Sequence, residues 1–251
     1  MINLGTVISY CTLDYRFIQL CVNAAKQFSH QTVVVAADHF FDGTPEDTEL
    51  LERTYRELTN TRIVGYKWEQ NAPRYWHNMS RWIGLQNMPD EIDFVLFLDA
   101  DEIVDADRFK IILTYEDLFK KFDAFLFSCY WYFREAKYRA RTWEHAGLLV
   151  KRARLTKENM FTGNERIGIL HSVPNAVALT GVDRTPLVHH YSWVRTKEDM
   201  LRKVKSWGHR NDTNWEKLIE DEFTHDFNGT DFLPEHYYEY DIIEPVHDIK
   251  L

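Results

Sequence analysis

FVLFLDADEI, residues 94–103, is the stretch on which the fold of this chain turns. Five apolar residues, Phe94 to Leu98, run without a break into Asp99, and Asp101 and Glu102 follow at once. A short, continuously apolar run bounded by charge reads as a strand buried on both faces. Carboxylates crowded at its end repel one another unless something positive joins them. In an extended chain residues i and i+2 point the same way, so Asp99 and Asp101 can address one cation together.

Working outward from that strand, the preceding residues alternate in period. Residues 5–10, 32–37 (TVVVAA) and 61–68 read as strands, the second rich in β-branched residues. Between them Leu13, Phe17, Leu20, Cys21, Ala24, Ala25 and Phe28 fall on one helical face. Residues 46–58 read as a helix with Leu51, Tyr55 and Leu58 inward, and residues 75–88 as another, stopped by Pro89. Strands alternating with helices predict an α/β fold, a mostly parallel sheet with helices on both faces. Ligands of such sheets bind beyond the carboxyl ends of the strands. Asp38, Asp99 and Asp101 all stand at such ends.

After Ile103 the pattern changes. Residues 107–122 read as one helix, 124–133 as a very aromatic strand and 147–151 as another. Thr196-Lys197-Glu198-Asp199 is a capping-box pattern that opens a basic helix to about Trp207. On that helix Lys197, Arg202, Lys203 and Lys205 read first as a solvated face, with the screening of phosphates as the alternative. The last forty or so residues are acidic and aromatic and fit no clear periodicity.

The totals bound the class. The chain has 251 residues, 45% of them hydrophobic, enough to fill a real core. Its net charge of −9 repels a phosphate backbone and argues against nucleic acid as a partner. No run of ~18 apolar residues is present, so no transmembrane segment is expected. MINLGTVISY lacks a basic region and a cleavage site, so no signal peptide is read there. Cys11, Cys21 and Cys129 are odd in number and without CxxC spacing, which predicts reduced, mostly buried thiols and a cytoplasmic protein. The three Asn-x-Ser/Thr matches, at Asn78, Asn211 and Asn228, are then chance.

Hard oxygen ligands with open coordination positions suit Mg²⁺ or Mn²⁺, which keep waters and share substrate phosphates. Two rival motifs were weighed. A calcium loop starting at Asp99 would need Asp or Asn where Ile103 stands and Gly where Val104 stands. A haloacid-dehalogenase phosphatase uses a strand followed by DxDx(T/V), close to DADEI, but at the end of its first strand rather than its fourth.

The first hundred residues resemble family-2 glycosyltransferases with the GT-A fold. That family follows a strand with DDGSTD-like residues, and TVVVAADHFFDGTPED supplies Asp38 and Asp42-Gly43-Thr44. It then has a segment like ARNxGLxxAxGDYILFLDADD, and Asn78-Met79-Ser80-Arg81-Trp82-Ile83-Gly84-Leu85 precedes DFVLFLDADEI here. Looser similarities follow: KRARL for an arginine-rich strand, Leu170-His171-Ser172 for a His-containing loop, and His189-His190-Tyr191 for a His-Tyr pair before a helix. Some relatives have His-Glu where this chain has His171-Ser172, so no role of that Glu carries over. The resemblance spans roughly residues 4–195.

It implies a GT-A domain over residues 1–195, with a nucleotide-sugar-binding half at 1–103 and an acceptor half at 104–195. Residues 196–251 would be a helical C-terminal extension. It implies a metal-dependent, inverting transfer of a sugar from a UDP-, GDP- or dTDP-sugar to a hydroxyl of a carbohydrate or glycan acceptor. Asp38 would meet the base, Arg81 the diphosphate or sugar, and Asp99 and Ala100 the sugar or ribose side. Asp99, Asp101 and His190 would hold Mn²⁺ or Mg²⁺. The acceptor needs a base, for which Glu165, in TGNER, and Glu144, in RTWEHAG, are the candidates. The alternatives are a phosphatase with Asp99 as nucleophile and an inactive sugar- or nucleotide-binding protein.

Overall fold

The computed structural model describes residues 2–67, 74–161, 165–233 and 238–251, the side chains of 74–77 excepted. The elements run β1 (Leu4–Tyr10), α1 (Tyr15–Lys26), β2 (Gln31–Ala37), α2 (Thr48–Glu57), β3 (Arg62–Tyr66), α3 (Arg74–Gln86), β4 (Phe94–Asp99) and β5 (Glu102–Val104). They continue α4 (Ala106–Leu113), α5 (Glu116–Lys121), β6 (Ala124–Phe133), β7 (Glu135–Lys151), α6 (Lys157–Phe161), α7 (Glu165–Ser172) and β8 (Ala176–Leu179). The chain closes with β9 (Val188–Trp193), α8 (Lys197–Ser206), α9 (Trp215–Glu222) and β10 (Tyr240–Ile242).

The sheet has the order β3-β2-β1-β4-β7-β6-β9-β5. β3, β2, β1 and β4 are mutually parallel. β7 then pairs antiparallel with both β4 and β6. This is the expected α/β architecture, with a parallel half and a mixed half.

Period-2 alternation sorts the strand residues between two cores. Leu4, Ile8, Leu96 and Leu98 pack with Phe17, Cys21 and Val22 of α1 on one face. Val7, Val33, Val95 and Phe97 pack with Leu85 of α3 and with Met160 and Ile169 on the other. Gly84 lets α3 lie directly on β1, since a Cβ there would overlap the Val7 side chain. That close approach brings Ser80 and Arg81 of α3 to the ends of β1 and β4.

Several local expectations are corrected. The helix expected over 46–58 starts at Thr48, capped by Asp47, whose side chain accepts from Leu50 N at 3.0 Å. Its Leu58 is buried, but Tyr55 is exposed, and Thr54 is the residue turned inward. The helix expected over 107–122 is two helices, because the chain turns at Thr114-Tyr115. The strand expected at 147–151 begins twelve residues earlier, at Glu135. KRARL is not a strand beyond Lys151; Arg152–Arg154 is a turn of 3₁₀ helix. Trp68, the end of the third expected strand, and Thr162, Gly163 and Asn164 of TGNER lie outside the described residues.

The capped helix appears as foreseen: the Thr196 side chain accepts from Asp199 N and α8 follows. The remainder, which had no clear pattern, folds back on the sheet. α9 and β10 build a third core with Phe133, Ala140 and Trp193. β10 pairs with β7 from Tyr240↔Ala140 to Ile242↔Tyr138. All three cysteines are free thiols.

Candidate functional site

The last residues of the four parallel strands, Tyr10, Ala37, Tyr66 and Asp99, line one cavity of roughly 700 Å³. This is where an open α/β sheet binds its ligands. The facing wall comes from the mixed half: Trp131, Glu144, His190, Trp193, Glu165, Arg166 and Lys203.

Backbone pairing explains how the carboxylates are placed. Ala100 N donates to Ser9 O at 3.0 Å, fixing the turn after β4. β5 then pairs with β9 so that Glu102 stands opposite His190. Tyr191 N donates to Asp101 O at 2.9 Å. Asp99, Asp101 and Glu102 are therefore held beside the same strand that carries the imidazole.

Basic side chains neutralise them. Asp99 Oδ1 accepts from Arg81 Nη2 at 3.1 Å, and its Oδ2 lies 3.4 Å from Arg166 Nη2. Glu102 is fully buried and clasped through both oxygens by Arg166, one contact being 2.5 Å. Its Oε2 also accepts from Asp99 N at 3.0 Å. Asp101 Oδ2 accepts from Lys203 Nζ at 3.3 Å and lies 3.6 Å from Arg195 Nη2. His190 Nε2 stands 3.5 Å from Asp101 Oδ1 and 3.9 Å from Glu102 Oε1.

The titration of these groups follows. Burial alone would raise the pKa of Asp101, but Lys203, His190 and Arg195 outweigh it and hold the carboxyl well below the usual range. Burial opposes the charged form of His190, yet Asp101, the Cys129 thiol and Glu102 hold its pKa up at about 10. The imidazole is thus a cation at neutral pH, its proton lying between carboxylates. Burial lowers the pKa of Arg81 and Asp99 opposes the shift. On the far wall Glu165 lies 3.3 Å from His209 Nε2, and that contact, with Asp212, lifts the His209 pKa to about 9.

Carboxylate oxygens and an imidazole nitrogen are the donor chemistry that Mg²⁺ or Mn²⁺ takes. The His190 proton stands where a cation would be shared by His190 and Asp101. Among the described residues no cluster of three or more His, Cys, Asp or Glu is already in metal-ligating geometry. Asp99, Asp101 and His190 suit the ion by type, and His190 must lose its proton to accept it.

Of the sequence candidates, Asp99, Asp101, His190, Glu144 and Glu165 line the cavity. Arg81 is fully buried and reaches the cavity only through Asp99. Ala100 is also fully buried and contributes its backbone to the turn. Asp38 is not part of the cavity wall; its side chain is 47% exposed and accepts from His39 Nδ1 at 2.8 Å.

Lys203 corrects an expectation: it is not on a solvated face, its side chain being 12% exposed. The signal was present, since Met200, Lys203, Val204 and Trp207 share one helical stripe. Arg166 was missed beside Glu165, Arg195 carried no pattern, and Glu46 lay hidden in an acidic loop.

No protein-family model matches the sequence, and no curated protein matches it either. Among solved structures the chain is similar to 4-diphosphocytidyl-2C-methyl-D-erythritol synthase from Anaerococcus prevotii, at 8% identity and a TM-score of 0.43. The likeness covers 80% of this chain and 94% of that one. Among the described residues no helix is long and apolar enough to cross a membrane.

Proposed function

We propose that this protein is a metal-dependent, inverting glycosyltransferase that moves a sugar from a nucleotide-sugar donor to an acceptor hydroxyl. The observation that carries the reading is one constellation. Asp99 and Asp101, at and just after the end of β4, pair with Arg166, Lys203 and His190 in the wall of a cavity over the carboxyl ends of a parallel half-sheet. A nucleoside diphosphate leaving group needs positive charge around its phosphates and a carboxylate near its sugar.

Asp101 and His190, with Asp99, would hold Mg²⁺ or Mn²⁺, which when bound neutralises charge gathering on the leaving diphosphate. Arg166 and Lys203 add fixed positive charge on the same side. They are preorganised by Glu102 and Ser192, so they need no rearrangement as charge develops. Arg81 fixes the rotamer of Asp99 from behind.

Glu165 is the first choice for the acceptor base. It opens α7 next to Arg166, so it stands beside the carboxylate cluster, and His209 Nε2 lies 3.3 Å from it. Glu144 on β7 is the second choice. The phosphatase reading has less support, because its nucleophile would be Asp99, which two guanidinium groups already engage.

The test is calorimetry with UDP, GDP and dTDP, in Mn²⁺ and in EDTA, followed by slow hydrolysis of a nucleotide-sugar panel. Binding that needs Mn²⁺ together with turnover of one nucleotide sugar is the expected result. Turnover of a generic phosphate ester would favour the phosphatase. Equal affinity in EDTA would remove the metal, and binding without any turnover would favour a binding protein.

A further inference from the structure

Glu46 has no part in the chemistry above, yet it is 5% exposed and stands in the cavity wall. It lies on the loop between β2 and α2, at the end of the cavity built by Tyr10, Ala37 and Tyr66. Its backbone is fixed, since Glu46 N donates to Asp38 O at 3.0 Å. Both of its side-chain hydrogen bonds fall on one oxygen. Oε2 accepts from Thr12 N at 3.0 Å and from the Thr12 hydroxyl. Oε1 takes no hydrogen bond among the described residues. The charges that act on it most are Asp14 and Asp47, both negative. Oε1 is not sealed off with the rest of the side chain; it is open to the cavity, where a ligand's donor can meet it.

We propose that Glu46 selects the base of the nucleotide: its Oε1 accepts the ring N–H of uracil, thymine or guanine and rejects cytosine and adenine. In cytosine and adenine the corresponding ring nitrogen is itself an acceptor, so two lone pairs would face each other. This rests on the nucleotide reading above, which it deepens. The place agrees with it. Asp99 and the basic groups lie over the end of β4, where a diphosphate and sugar belong. The Glu46 end lies over β1, β2 and β3, with Tyr10, Tyr66 and Phe40 to flank a flat ring. Asp38, the base contact that family resemblance implies, is off the wall, and Glu46 takes that place.

Thr12 makes the test sharp. A backbone N–H can only donate, so a glutamine at this position must keep its amide oxygen on Thr12 and turn its NH₂ into the cavity. Glu46→Gln therefore exchanges an acceptor for a donor without changing shape.

The experiment is calorimetry in Mn²⁺ at pH 8, where the Glu46 carboxylate is ionised and Oε1 can only accept, with UDP, GDP, CDP and ADP on the wild-type chain and on Glu46→Gln. The wild type is also titrated with 3-methyl-UDP and 1-methyl-GDP, in which the ring N–H is blocked. For wild type, UDP or GDP binds ~10- to 100-fold tighter than CDP or ADP, the range expected of a hydrogen bond to a charged group. Methylation removes that advantage. In Glu46→Gln the order reverses toward CDP or ADP. An unchanged order in the variant, or a wild type indifferent to methylation, overturns the role of Glu46 and leaves the nucleotide reading standing. Failure of every nucleoside diphosphate to bind overturns both. The methylated probes need no variant, so the result does not depend on how well Glu46→Gln folds.

Discussion

The two sides of the sheet are made differently, and the site exists only where they meet. On one side β3, β2, β1 and β4 are parallel, joined by helices, and packed from both faces. On the other, β6 and β7 form a long antiparallel pair, and a separate core ties them to α8, α9 and β10. The first side ends in acid: Asp99 on β4, then Asp101 and Glu102. The second side supplies most of the base: Arg166 on α7, His190 on β9, Arg195 after it and Lys203 on α8. Among the described residues Arg81 alone answers the acid from its own side. Each half leaves like charges crowded together. Docking the halves sets opposite charges side by side, and the cavity is the seam.

The largest effect expected from breaking this division is catalytic. Glu165 belongs to the second side, at the start of α7, and lines the same cavity. Glu165→Gln should lower transfer ~10²- to 10⁴-fold while nucleotide affinity stays near wild type, because an amide cannot take a proton. Asp101→Asn, on the first side, should lower affinity and rate together. Single-turnover kinetics and calorimetry on both variants separate the two behaviours. If Glu165→Gln transfers at wild-type rate and Glu144→Gln does not, the base is on β7 rather than α7.

Next in size is the clasp across the seam. Glu102 is fully buried and Arg166 nearly so. Among the described residues Glu102→Gln leaves the guanidinium only its 3.4 Å contact with Asp99 and should cost about 2–3 kcal/mol in urea unfolding, below the loss for a fully buried pair with no second partner. Glu102→Gln combined with Arg166→Met removes both charges and should recover much of that loss. A double variant no more stable than the single one would mean that the clasp does not couple the halves.

The same division explains what the sequence makes legible. The first side is local: helices separate its parallel strands, and the unbroken apolar runs in TVVVAA and FVLFL follow directly from two-sided burial. The acid at the end of β4 could be read for the same reason. The second side depends on partners far away in the chain. The 17-residue length of β7 is set by β4 at one end and by β10 at the other, and no local pattern announces either. Arg166 lies 64 residues from Glu102, and Lys203 lies 102 from Asp101. Asp38 follows a strand directly and so could be singled out; Glu46 reaches the cavity wall from within the ten-residue connection between β2 and α2, where no local pattern marks it.

Glu46 offers a third, pH-dependent test confined to the first side. Burial, with Asp14 and Asp47, lifts its pKa to about 7 against the pull of Thr12. An unfolded glutamate titrates near 4.3. The native state therefore binds the proton more tightly. Its stabilising contribution is complete below the unfolded pKa and is lost as pH rises toward 7. Across that window wild type should lose roughly 3 kcal/mol relative to Glu46→Gln, which has no proton to release. Urea unfolding of both chains between pH 4 and 8 reads the difference directly. A constant gap would mean that folding leaves the pKa of Glu46 at its unfolded value.

The smallest effect belongs to the outer edge of the second side. Arg141 on β7 reaches Asp241 at 2.8 Å and Glu239 at 2.7 Å, beside the pairing of β7 with β10. The geometry is as good as that of the Arg166 clasp. The surroundings differ: all three side chains are more than half exposed. Water and salt screen such a pair, and holding two long side chains in place offsets most of the attraction. β10 is instead kept by Tyr240, which is buried against Phe133 and donates to Asp231 Oδ2 at 2.6 Å. Arg141→Ala should therefore leave the urea midpoint within measurement scatter at low and high salt, whereas Tyr240→Phe should lower it by about 1 kcal/mol for the lost hydrogen bond. A larger loss for Arg141→Ala than for Tyr240→Phe would reverse the order, and surface charge rather than the third core would then be what fastens the C-terminal segment to the sheet.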